Sequence, residues 1–351
     1  MILDRINNMN IYSFEKRSSM WEPEFFSREF NLEWIEISND KLIISDKLIF
    51  IATTNPIEWT EFLLKSKPRS VILFNLSNET KEKSHYTILN DFDSILHVFL
   101  CFPPNNMKLL PLKILLQSIF EFPTLPFEKG FYYHARKALL KSLEMRSMIL
   151  KYSWTYLPVG YSNRFVTELK LSGKLSQNHK TSLLHKFLII EKRNDFSDKS
   201  VFFNGRPNGW YRRKLLEKYA RKTGFKINLT SKTGEPNNEN STSHVLGMFE
   251  NSFALIPPGN ISNLSFRYYE AIICGAIPIH QGGYLQDWQN LPSYIDKMPI
   301  FAKLTHMGIY KKFLKLDVNQ LLSIRKSYEK QFMDEVQAIQ QKIEDLVKNT
   351  K

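Results

Sequence analysis

Short, continuous apolar runs set the rhythm of this chain. Leu48–Thr54, Ser70–Leu76 and Ile95–Cys101 are too short and too uniformly apolar for amphipathic helices, and they predict buried strands. Trp59–Lys65, between the first two, has the spacing of a short amphipathic helix. Strands that alternate with helices predict a parallel sheet, so residues 45–160 form a Rossmann-like half. Ala135–Leu150 predicts a basic surface helix, and Trp154–Val159 with Gly160-Tyr161 a strand and turn. Residues 1–45 scatter Trp21, Phe25, Phe26, Phe30 and Trp34 among charges without a period, and are expected to wrap the first domain.

The second half opens with Lys186–Ile190 and with Val201–Gly205, a strand that runs into Arg206-Pro207-Asn208-Gly209-Trp210-Tyr211-Arg212-Arg213. Backbone N–H groups at a helix amino terminus and guanidinium forks both suit a phosphate there. One of Arg206, Arg212 and Arg213 is expected to touch phosphate; solvated helix positions are the other reading. Leu215–Lys222 completes the helix and Phe225–Leu229 is the next strand. Thr230–Ser243 is almost free of apolar residues and reads as a surface loop.

The stretch Phe249–Pro292 holds the strongest local signal. Phe253–Ile256 is a buried strand that stops at Pro257-Pro258-Gly259-Asn260. Asn263 or Ser265 can cap the helix that follows, Gly275 ends it, and Ala276–Ile279 returns as a strand. The glycine-bearing loop lies at a strand's carboxyl end, where open α/β sheets bind ligands. Arg267 and Glu270 stand three apart on one helical face. A cation and an anion there suit a sugar nucleotide, with Arg267 on the diphosphate and Glu270 on ribose hydroxyls. His280 ends the second strand facing this loop, where it contacts sugar or phosphate or is simply exposed. Residues 318–347 predict one long helix, with apolar positions at 318, 321, 322, 328, 332, 336, 339, 343 and 346.

Composition changes this picture in only a few places. The 351 residues exceed one ordinary core, and 43% apolar with 24% charged residues is a globular balance. Cys101 and Cys274 both lie in apolar runs and are expected to be buried thiols. Residues 1–20 carry charges with no apolar core between them, and no stretch reaches the roughly eighteen apolar residues of a membrane span. A cytoplasmic location follows as the expectation. The net charge of +13 calls for anionic partners. The lysines are scattered and no nucleic-acid motif stands out, so no nucleic acid is expected. Peripheral contact with an anionic membrane face is the better match.

The same stretch resembles the carboxy-terminal signature of exostosin-like glycosyltransferases. In these a Ser-Phe-x-Leu-x-Pro-x-Gly strand and turn leads to a Ser-x-Arg-x-x-Glu-Ala helix and then Gly-x-Ile-Pro-(Ile/Val). All three pieces stand here in order, as Ser252–Gly259, Ser265–Ala271 and Gly275–Ile279. The match covers roughly forty-five residues. It implies a GT-B-like α/β fold, with two Rossmann-like domains facing a central cleft and a carboxy-terminal crossover helix. The domains would span residues 1–165 for the acceptor and 166–317 for the nucleotide-sugar donor, with 318–351 packing back on the first. It further implies inverting transfer of a sugar, a UDP-sugar being the first choice, to a hydroxyl of a glycan or lipid-linked glycan. A bacterial surface-polysaccharide pathway is implied as well. The donor site would comprise Arg206, Arg212, Pro257, Gly259, Asn260, Ser265, Arg267, Glu270 and His280.

Ser77-Asn78-Glu79 follows the second predicted strand, where relatives often carry Ser-Asp-Glu. Glu79 is therefore the candidate general base or acceptor contact, with a solvated loop glutamate as the alternative. His134 and His85 are reserve candidates for the base. A metal-dependent transferase would need Asp-x-Asp just after a strand; Asp91-Phe92-Asp93 precedes one instead, so no catalytic metal and no cofactor are expected. Two further classes remain open: a non-catalytic nucleotide-sugar or glycan-binding relative, and a basic nucleic-acid-binding protein.

Overall fold

The structure is a computed structural model. It describes residues 9–14, 16–17, 20–37, 48–53, 56–76, 92–101, 151–190, 196, 198–205, 210–229, 243–257, 265–280 and 305–350. The chain divides into two compact units. The first takes Met1–Pro111, Tyr133–Val159 and Asp334–Lys351, and the second takes Leu112–Tyr132 and Gly160–Met333.

Each unit is built on one parallel sheet. The first has six strands: β1 (Met9–Ser13), β2 (Leu32–Glu36), β3 (Leu48–Thr53), β4 (Ser70–Asn75), β5 (Ile95–Leu100) and β6 (Trp154–Tyr156), in the order β2-β1-β3-β4-β5-β6. Every residue of β4 is buried, as is required of a strand covered on both faces. Helix α1 (Pro23–Phe30) starts with proline in its first turn and ends at Asn31, whose φ of 55° places it in the left-handed region. It buries Phe25, Phe26 and Phe30, and Phe26 meets Phe74 of β4 edge-on at 5.2 Å. Helix α2 (Pro56–Ser66) adds Trp59 and Leu63 to a core of Ile49, Ile51, Leu73, Val98 and Leu100. His97, inside β5, bonds Ser153 (3.0 Å) and Thr155 (2.9 Å) through its two ring nitrogens, and burial pushes its pKa down to about 4. It is a neutral, satisfied core residue.

One expectation changes here. Residues 9–36 do not simply wrap the domain: they contribute β1, α1 and β2, and β1 sits inside the sheet between β2 and β3. Lys186–Ile190 lies in a single π-helical turn, His185–Ile190.

The second unit carries four parallel strands, β7 (Val201–Gly205), β8 (Phe225–Leu229), β9 (Phe253–Leu255) and β10 (Ile277–Ile279), in the order β10-β9-β7-β8. Its helices are α3 (Asn163–Leu171), α4 (Trp210–Ala220), α5 (Ser243–Glu250), α6 (Phe266–Ile273) and α7 (His306–Leu314). A Cβ on Gly247 of α5 would lie 2.2 Å from the Phe202 ring, so only glycine permits this close seating of helix on strand. At the end of α6, Gly275 has φ 75°, Ala276 N–H reaches Ala271 O (2.9 Å) and Gly275 N–H reaches Ile272 O (3.0 Å). That paired arrangement is the glycine-terminated helix stop anticipated from the sequence.

Helix α8 (Val318–Thr350) has 33 residues. Asp317 caps it, accepting from Gln320 N–H at 2.8 Å while Gln320 Oε1 accepts from Asp317 N–H at 3.0 Å. Its early turns bury Leu321, Tyr328 and Phe332 in the second unit, and Phe332 lies 4.4 Å from the Tyr269 ring. Its later turns bury Val336, Ile339 and Ile343 and belong to the first, where Gln340 donates to the Glu29 carbonyl. Among the described residues no helix is long and apolar enough to cross a membrane.

Candidate functional site

The strand order of the second sheet locates its ligand site. β7, the first strand, lies beside β9, the third, so the chain leaves their carboxyl ends in opposite directions and opens a crevice there. Gly205 ends β7 and Pro257 follows β9 at that edge, while α4 and α6 begin just beyond the same two strands.

Arg267, in the first turn of α6, reaches back over the end of β7. Its Nε donates to Asn204 O at 3.4 Å, and its guanidinium lies over the Phe203 ring at 5.3 Å. Gly205, at φ 154°, is what leaves it room: a Cβ there would fall 2.3 Å from Arg267 Nη2. Among the described residues neither Nη1 nor Nη2 of Arg267 forms a hydrogen bond, although the side chain is only half-buried. Arg212, in the first turn of α4, approaches from the neighbouring helix. Burial first, and then the like charge of Arg267, push its pKa down to about 10. Burial does the same to Arg267, with Glu270 opposing it. Two half-buried guanidiniums thus approach one crevice, and the charge of Arg267 disfavours that of Arg212. Such a pair is relieved by an anion.

Behind them lies a buried polar network. The Glu270 carboxylate accepts from the hydroxyl (2.7 Å) and N–H (3.2 Å) of Ser162, and its other oxygen meets His244 Nε2 at 3.2 Å. Ser162 in turn caps α3 by accepting from Phe165 N–H at 3.1 Å. Burial alone would raise the Glu270 carboxyl, but His244, Ser162 and Arg267 together hold it below the ordinary range. Glu168, paired with Arg164 at 2.7 Å, goes the other way: burial raises it, and the nearby Glu270 adds to the rise. Among the described residues three buried oxygens around the crevice, Glu168 Oε2, Asn204 Oδ1 and Ser265 Oγ, find no partner.

Of the residues singled out in the sequence, the structure brings Arg212, Pro257, Ser265 and Arg267 to the carboxyl edge of one sheet. Ser265 is the residue preceding α6, but its hydroxyl makes no capping bond. Glu270 sits deeper, 3% exposed, with both oxygens already engaged inside the protein. His280 is 2% exposed and packs between Tyr268 and Tyr328, with Tyr328 Oη 3.3 Å from its Nε2. Glu79, Arg206, Gly259, Asn260, His85 and His134 lie outside the described residues, as does Ala135–Leu150. Both cysteines are buried free thiols. Asp93 stands in the turn before β5, and no group of three metal-ligating side chains occurs among the described residues.

Sequence reasoning missed Ser162, His244, Glu168 and Asn204. Ser162 and Glu270 are 108 positions apart, and no local spacing signals that pairing. The only usable hint was the helix-cap pattern Ser162-Asn163 ahead of an apolar-periodic run.

No protein-family model matches the chain, and neither a curated protein nor a solved structure matches it. The fold and the site therefore define it as a two-unit parallel α/β protein with an arginine-lined crevice at the switch point of its second sheet.

Proposed function

We propose that this chain is a glycosyltransferase of the GT-B type that uses a nucleotide diphosphate sugar, a UDP-sugar first, and binds it on the second unit. One observation carries the reading. Arg267 is anchored through Nε and its ring-stacked face while its two terminal nitrogens stay open at the switch point, with Arg212 beside it. A diphosphate supplies the acceptor oxygens that the terminal nitrogens of Arg267 lack among the described residues. The two parallel sheets and the forty-five-residue exostosin-like pattern agree with it. On this reading Arg267 and Arg212 stabilise the departing nucleoside diphosphate, and Glu270 acts as a positioning residue that ties α6 to Ser162 and His244. Transfer is inverting and metal-independent, as the resemblance implies, and the acceptor is a hydroxyl of a surface glycan.

The experiment is a thermal-shift panel of nucleoside diphosphates and nucleotide sugars on the wild type and on Arg267→Ala. A melting shift with at least one of them, lost in Arg267→Ala, is expected. No shift with any diphosphate overturns the site. A donor that binds but never releases its nucleoside diphosphate with any glycan acceptor would leave a binding protein and end the enzyme reading.

A further inference from the structure

Opposite the crevice, at the amino ends of the strands, the second unit presents a different surface. Helix α7 ends there, fixed by Lys199, whose Nζ donates to the carbonyls of Leu314 (3.0 Å) and Leu316 (2.8 Å). Tyr310 Oη donates to Lys199 O at 3.2 Å and its ring meets Phe225 at 4.9 Å, so the turn that leads into β8 lies alongside. These contacts gather Lys222 from that turn and Lys226 from the start of β8 with Lys311, Lys312 and Lys315 from the end of α7. Lys312 is half-buried and the other four are exposed. None of Lys311, Lys312 and Lys315 forms an ion pair among the described residues. In their midst stand two large aliphatic side chains without cover, Leu314 (40% exposed) and Val318 (43%). Among the described residues the carboxylates beside this face are hydrogen-bonded within the fold: Asp198 accepts from Ser200 and Ser252, with Lys226 as a nearby counter-charge, and Asp317 caps α8.

We propose that this lysine-ringed pair, Leu314 and Val318, docks the protein on an anionic lipid bilayer. Lysine ammoniums are compact charges suited to a diffuse sheet of headgroups, and a leucine and a valine gain by entering the acyl boundary. A nucleic-acid surface would favour arginines and exposed aromatic rings; among the described residues here the lysines stand beside one arginine, Arg221, and no exposed ring. In a parallel sheet the amino and carboxyl edges are opposite, so a bilayer at this face leaves the Arg267 crevice open. The proposal stands apart from the donor-site reading, and either can fail alone.

The test is co-sedimentation of the full chain with vesicles of phosphatidylcholine alone or mixed with phosphatidylglycerol. Binding only to the mixed vesicles, weakened by salt, is expected. At roughly fivefold per lysine, Lys311→Glu, Lys312→Glu and Lys315→Glu together should weaken partitioning by about a hundredfold or more. Leu314→Asn with Val318→Asn should weaken it about tenfold. Both native cysteines are buried, so Leu314→Cys places one exposed thiol for a polarity-sensitive fluorophore, which should shift to the blue on the mixed vesicles. All these side chains are exposed or half-buried, and an unchanged melting temperature confirms that the variants fold. Wild-type partitioning by the triple lysine variant, or an unmoved fluorophore, overturns the proposal. So does duplex DNA binding that is as tight as vesicle binding and indifferent to the Leu314 and Val318 changes.

Discussion

Arg17 and Arg267 occupy comparable places in the two units, each near the carboxyl end of a parallel sheet, and they are treated in opposite ways. Around Arg17 charges are paired: its backbone N–H donates to Glu36 (2.6 Å), its guanidinium meets Glu24 (3.0 Å), and Glu24 also holds Arg28 (2.8 Å). Together these groups pull the Glu24 carboxyl below its ordinary range despite burial. The strand ends beside them carry the uncharged Ser13, Thr53 and Asn75, all buried. Around Arg267 the hydrogen-bond partner among the described residues is a carbonyl and the stacked group a ring face, while the carboxylates of Glu270 and Glu168 act on it without a bonded ion pair. The sheets share the same order, with the first and third strands adjacent, and so the same crevice. Topology thus supplies two candidate places, and a guanidinium whose terminal nitrogens bond no carboxylate among the described residues selects one of them.

The largest break in this comparison should come from exchanging the two arginines' fates. Arg267→Ala should weaken nucleoside diphosphate binding about a hundredfold by calorimetry, whereas Arg17→Ala should leave it unchanged. Comparable losses in both would mean that the second unit has no privileged site. Glu270→Ala should cost on the order of 3 kcal/mol of stability in chemical unfolding, because it strips a buried carboxylate from Ser162, His244 and Arg267. A stable Glu270→Ala that loses only ligand affinity would return this residue to the ribose contact expected from the sequence. Gly205→Ala comes next. The flexible end of Arg267 must move away from the new methyl, so about tenfold in affinity should go with little change in melting temperature beyond the backbone strain at φ 154°.

The smallest effect is in pH. Glu270 is held below its unfolded pKa, so its contribution is present above the ordinary glutamate range and is lost as pH falls through the folded value. Glu168 is raised, so its contribution is full below that range and declines as pH rises through the folded value. Glu168→Gln should therefore gain stability relative to the wild type as pH climbs from about 4 to 7. Glu270→Gln should fall behind in a lower window, as pH rises from the depressed folded value to the ordinary glutamate range of about 4. Parallel unfolding curves for the two variants would sink the opposed assignment.

What could be read from the sequence follows the same physical divide. β4 was legible because burial on both faces demands an unbroken apolar run, and β8 and the helix stop at Gly275 were legible because their signals are local. β1 (Met-Asn-Ile-Tyr-Ser) and β2 (Leu-Glu-Trp-Ile-Glu) are short strands with polar or charged residues within them, which hides them among charged neighbours. The tight π turn at His185–Ile190 leaves an apolar run no different from that of a strand. At the site, Arg267 and Arg212 were legible because each opens a helix after a strand. Their backing was not, since Ser162, His244 and Glu270 meet only through the fold.

Helix α8 has a consequence for how the protein is made. The first unit includes Asp334–Lys351, so its amino-terminal strands leave the ribosome long before the turns bearing Ile339 and Ile343 exist. At about 5–20 residues per second, roughly 10–40 s separate the synthesis of the end of β6 from that of the last turn of α8. Through that interval the sheet that emerged first has to wait, incomplete, while the arginine-bearing unit assembles after it.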